Sequence, residues 1–177
     1  SAKLVGVQGE VNALDVSNVR RRVVDGASIY PGETVETTAG AKAVLIFRDD
    51  SRTTLGGNTR FRVDNFVFDD KNPGEGRFLV SLLRGSLRAL TGLIGKSNTR
   101  NVNFATPTAT IGIRGTDYTA RLDNGLHVQV DRGEISLTNK AGSFPVAEGQ
   151  RAYVASQKSP PKYVTLSSGA ASGAAAA

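Results

Sequence analysis

From Ala105 to Ala120 the chain reads ATPTATIGIRGTDYTA, and this order restricts the backbone more than any other stretch. Thr106, Thr108 and Thr110 alternate with Pro107 and Ala109, and β-branched isoleucines follow at 111 and 113. Such residues at every second position favour an extended, pleated strand. Pro107 has no amide hydrogen to give a ladder, which restricts it to the first residue of a strand or to an edge. Gly112 and Gly115 flank Arg114 and admit a bulge or tight bend there. Beyond that bend Tyr118, Ala120 and Leu122 recur with period two and predict a second strand.

The same two rules, alternation and glycine corners, describe the rest of the chain. Val5, Val7, Val11 and Ala13 share one parity, with Gly9 among them. Tyr30-Pro31-Gly32-Glu33 has the order of a type II turn, in which the residue after proline needs positive φ. Lys42 to Phe47 is apolar on both faces and predicts a central strand; Thr53 to Leu55 and Thr59 to Val63 follow across the turns at Asp49-Asp50 and Gly56-Gly57-Asn58. Phe61 and Val63 are odd, Phe66 and Phe68 even, and a bulge near Asn65 restores the phase. Leu87 to Ile94 has helical spacing and predicts one short helix near 87–94, limited by Gly92. Asn124-Gly125 is a hairpin signal. Strands are expected over Leu126 to Val130, Gly133 to Asn139, Phe144 to Ala147, Gln150 to Ala155 and Tyr163 to Leu166.

Gly9-Glu10-Val11, Gly85-Ser86-Leu87 and Gly133-Glu134-Ile135 repeat one small motif. Repeated strand and corner units predict an all-β fold: a β-roll, a sandwich or a short β-helix-like stack. Residues 1–158 are expected to form one β domain. Residues 159–177, which open on Ser159-Pro160-Pro161 and run into glycine, serine and alanine, read as a tail.

Composition narrows the chemistry. There is no cysteine, hence no disulfide, thiol nucleophile or thiolate metal site. His127 is the only histidine, so neither a histidine zinc site nor a histidine-centred catalytic group has partners. Asp49-Asp50 and Asp69-Asp70 fit turns and lack the spacing of a calcium loop. Gly56-Gly57 and Gly112 to Gly115 lack the lysine and helix of a phosphate loop. Neither enzymatic activity nor a cofactor or metal is expected. The net charge of +6, with a pI near 9.9, permits anionic partners but selects none. Phe61, Phe66, Phe68 and Phe78 alternate as core residues do, so they offer no stacking face for bases, and no nucleic acid is expected. No apolar run is long enough to span a membrane.

The run Thr106 to Thr116, T-P-T-A-T-x-G-x-R-G-T, resembles the signature of the FecR domain family. Gly40 to Val63 (GAKAVLIFRDDSRTTLGGNTRFRV) and the repeated glycine-plus-apolar strands extend the likeness over roughly Val5 to Val154. The family's best-known members relay a signal from outer-membrane iron-siderophore receptors to a cytoplasmic sigma-factor system. The resemblance implies an all-β, helix- or roll-like domain that is periplasmic or otherwise extracytoplasmic, serves signal sensing and binds a protein partner in the cell envelope. In members that act on sigma factors a cytoplasmic segment and one membrane span precede this domain; neither is in this sequence, which therefore resembles the stand-alone or secreted branch. Its signature residues, Thr106, Pro107, Arg114, Gly115 and Thr116, are the expected structural or partner-contact positions. Arg114 has two readings: a fork that caps local carbonyls or binds Asp117, or an exposed contact for a partner. Two other functions are open, a module for cell-wall or polyanionic glycan and a structural assembly subunit that uses exposed strand edges.

Overall fold

The computed structural model describes residues 2–165. The expected glycine, serine and alanine tail from Ser167 lies outside them. The chain forms one sheet of sixteen strands, folded over so that two layers face each other across a common core. β1 (Ala2–Gln8) starts in the back layer, and β2 (Val11–Leu14) and β3 (Arg20–Arg22) continue in the front. β4 (Ser28–Ile29) returns to the back and β5 (Thr34–Thr37) to the front. β6 (Lys42–Phe47) and β7 (Arg52–Leu55) are a back hairpin, β8 (Arg60–Val67) and β9 (Arg77–Arg84) a front one. β10 (Ser86–Leu90) is again in the back.

A crossover holds α1 (Leu93–Ser97) and a 3-10 turn (Thr99–Asn101), and leads to β11 (Val102–Ala105) beside β9, the one parallel pairing among the described residues. β12 (Thr110–Leu122) and β13 (Leu126–Asn139) are a long hairpin that belongs to both layers. Thr110 to Gly112 pair with β11 at the front, Asp117 to Arg121 with β10 at the back. β14 (Gly142–Ala147) borders the front half of β13, while β15 (Gln150–Val154) and β16 (Lys162–Thr165) follow its back half.

The crossings explain the glycine repeat. Apart from the helical crossover, each passage between layers runs through a residue of positive φ: Gly9, Gly26, Gly32, Gly40, Asn58, Gly85, Gly115, Gly133 and Gly149. Crowding is most severe at two of them. A Cβ on Gly85 would stand 2.2 Å from Thr59 Oγ1, and one on Gly133 2.4 Å from the Gly115 carbonyl. Only glycine tolerates both the backbone and the contact.

Alternation fills the space between the layers. Leu4, Leu45 and Leu55 from the back meet Phe61, Val80 and Leu82 from the front, all buried. Phe47 of β6 sits 5.4 Å from Phe66 and 4.7 Å from Phe78, and Phe104 of β11 lies 5.5 Å from Tyr118 of β12, which ties the layers with aromatic contacts.

Two local expectations change. Leu87 to Leu90 is strand, flanked by β7 and β12, and the short helix starts only at Leu93. Thr106 to Ala109 is a turn: the Thr106 hydroxyl donates to the Ala109 carbonyl at 2.6 Å and accepts from the Thr108 and Ala109 amides, a local bonding pattern that competes with a ladder. β6 is central, as expected, with β1 on one side and β7 on the other, and Val44 and Ile46 on its outer face are half-buried. The expected bulge is present, since Val63 faces Val80 and Asn65 faces Leu79, which leaves Asp64 as the extra residue.

Candidate functional site: a polar groove on the signature strand

The signature residues divide by role. Thr106 and Pro107 form the β11–β12 turn, and Gln157 donates to the Pro107 carbonyl at 2.9 Å. Gly115 and Thr116 make the bend of β12. The buried Thr116 hydroxyl accepts the Arg114 amide at 2.9 Å and donates to the Glu134 carbonyl at 2.8 Å, while its own amide donates to Thr91 Oγ1 at 2.6 Å. These bonds satisfy backbone groups that the bulge removes from the ladder.

Arg114 differs from its neighbours. Its side chain is exposed and has no ion pair among the described residues. The carboxylate expected for it, Asp117, belongs to Arg88 of β10, whose fork donates at 3.0 and 2.7 Å. That hydrogen bonding, with the charge of Asp117, raises the Arg88 guanidinium above its ordinary value.

Arg114 instead lines a groove of about 260 Å³ on the outer face of the front layer. Cross-strand pairs set its walls: Thr110 beside Thr138, Gly112 beside Ser136 and Arg114 beside Glu134, with Asn103 of β11 on the other side of Gly112. Arg100 joins from the turn before β11. The surface is rich in hydroxyl and amide groups with charges of both signs, suited to hydrogen bonding a polar partner. Gly112 shapes the floor: its φ is not positive, and an added Cβ would meet nothing nearer than 3.9 Å, so no crowding demands glycine there. Sequence reasoning singled out Arg114 but missed Asn103, Ser136 and Glu134, which strand pairing brings to the groove, and Arg100, which the turn before β11 adds.

His127 stands in a separate place on the back layer, its Nε2 3.0 Å from the Asp123 carbonyl and its ring 4.7 Å from that of Tyr153. Among the described residues no group of three or more His, Asp or Glu side chains is placed to hold a metal ion. Among them, too, no helix is long and apolar enough to cross a membrane.

Comparison with known proteins places the chain in a family context. An uncharacterised protein of Treponema pallidum (strain Nichols) is 25% identical over 121 residues, covering 68% of this chain and 17% of that protein. The chain thus spans about one sixth of that relative's length. Two crystal structures of a candidate anti-sigma factor from Parabacteroides distasonis ATCC 8503, at 1.65 and 2.50 Å, share the fold with TM-scores of 0.60 and 0.61. Identity to each is 12%, over 78% of this chain and 62% of that one. The profile described as FecR protein matches residues 33–136, more than half of the chain, from the front strand β5 to the groove wall at Ser136, and the chain belongs to the FecR family.

Proposed function

We propose that this chain is a non-enzymatic, extracytoplasmic sensing module, in which residues 1–158 act as one unit that binds a protein partner of the cell envelope and contributes to sigma-factor regulation. Family membership and the fold shared with a candidate anti-sigma factor support this reading. One observation carries it to a site. Thr106, Thr116 and Gly115 of the signature are taken up by turns, backbone bonds and the bend, whereas Arg114 projects into an open groove with no ion-pair partner among the described residues. Structural need accounts for the first group. Contact with another molecule accounts for Arg114.

The test uses two substitutions that spare the fold. Arg114→Ala removes the charge, and Gly112→Thr fills the groove floor with a residue that β-strands favour. Each is expected to leave the melting temperature within about 2 °C of the parent, in line with surface changes of about ±0.5 kcal/mol. Each is also expected to reduce crosslinking to envelope proteins and the output of a sigma-factor-dependent reporter in cells. A drop of several degrees on Arg114→Ala would return that residue to a structural role, and intact crosslinking with both variants would move the site elsewhere.

A further inference from the structure

The outer face of the back layer has a second pocket, of about 320 Å³, built by β12, β13, β15 and β16. Register puts Arg121, His127, Tyr153 and Lys162 side by side across these four strands, with Gln129 and Arg151 one row on. At the usual spacing between strands the row spans roughly 15 Å. Arg151 and Lys162 are exposed and make no ion pair among the described residues. Arg121 is held only by Asp123, itself 61% exposed, a pair that water weakens. The other nearby carboxylate, Asp131, accepts from Gln129 at 3.1 Å. Positive charge is therefore in surplus in the pocket.

We propose that this pocket receives the acidic side chains of an extended peptide segment from a protein partner. Charge complementarity is the first argument, since arginine guanidinium and lysine ammonium groups donate shortened, charge-assisted bonds to carboxylates. The sheet edge is the second. Among the described residues β16 has one sheet partner, β15, and the exposed Val164 of β16 lines the pocket. A peptide bonds to such an edge with its own backbone while its side chains reach inward; a lipid headgroup has no backbone to offer. Stacked bases would need a free aromatic face, and the rings of His127 and Tyr153 pack on each other, with the Tyr153 hydroxyl donating to Asn124.

The experiment is a two-dimensional NMR titration of the full chain with three probes: a capped octapeptide of alternating Glu and Thr, its Gln and Thr counterpart, and vesicles containing phosphatidylglycerol. The Glu peptide is expected to shift amide resonances of residues 127–129 and 150–165 saturably, and the Gln peptide not to. The double variant Arg151→Gln, Lys162→Gln is expected to weaken binding at least tenfold at an unchanged melting temperature. Arg114→Ala is expected to have no effect here, so failure of the signature groove and failure of this pocket are separate results. Shifts spread over every arginine-bearing face, full affinity in the double variant, or binding to vesicles without binding to the peptide would each overturn the proposal.

Discussion

Tyr118 shows what one side chain reports about this core. It is fully buried on β12 with its ring edge-on to Phe104, and its hydroxyl has no hydrogen-bond partner. Burial pushes the phenol well above its ordinary value. In the unfolded chain the same group ionises near pH 10, so above that pH the unfolded state releases a proton that the folded state keeps. The stability tied to this difference is fully present below about pH 10 and falls as pH rises beyond it. Tyr118→Phe removes an unsatisfied polar atom and keeps the ring. It is expected to raise stability by about 1 kcal/mol at pH 7 and to make the alkaline decline shallower, as read from urea melts at pH 7 and pH 10.5; a loss of stability at pH 7 would contradict the orphaned hydroxyl. Residue roles were legible in the sequence only where local order decides them. The hydroxyls of Thr106 and Thr116 act within a few positions of themselves or across one hairpin. Asp117 looked like a partner for Arg114 because they are three apart, yet the bulge turns them away from each other and β10 brings Arg88 alongside.

At the scale of elements, the corners are the device that turns a run of short strands into two layers, and they differ in what they demand. Gly133 and Gly149 have similar φ, +77° and +82°, but a Cβ on Gly133 would meet backbone oxygens at 2.4 and 2.7 Å while one on Gly149 would meet nothing within 4 Å. Gly149→Ala is therefore expected to cost only the left-handed backbone penalty, about 1–2 kcal/mol. Gly133→Ala must also push β13 off β12, and is expected to cost more than about 3 kcal/mol. Chemical denaturation of the two variants isolates the steric part, and equal losses would show that the β12–β13 contact yields easily. These corners were visible in the sequence because positive φ selects glycine locally. So was the bulge at Asp64, from a change of phase between Val63 and Phe66. The stretch from Leu87 to Leu90 was misread for the opposite reason. Its leucines and Ile94 fit a helical stripe, and equally an alternation of inward Leu87 and Ala89 with outward Arg88 and Leu90. Pairing on both edges, with β7 and β12, decides for strand, and neither partner is adjacent in sequence.

For the whole molecule, the two layers are not independent units joined by a linker. β12 and β13 each supply one half to the front and the other to the back, and about half of the connections between successive strands change layer, so neither layer is a continuous stretch of chain. The core is likewise one cluster, to which both layers contribute. A fold with this connectivity has no cheap partly open state in which one layer persists, and small units of this kind unfold in a single step. The chain has no tryptophan, so one introduced indole reports only on its own surroundings. Phe144→Trp on front strand β14 and Tyr153→Trp on back strand β15 replace half-buried aromatics at separate layers. Urea transitions followed by fluorescence in each variant, and by far-ultraviolet circular dichroism in both, are expected to share one midpoint and one slope within each protein. A front-layer signal that is lost at lower urea than the strand signal would mean that the bent hairpin hinges, and that the groove bearing Arg114 opens without the back-layer pocket.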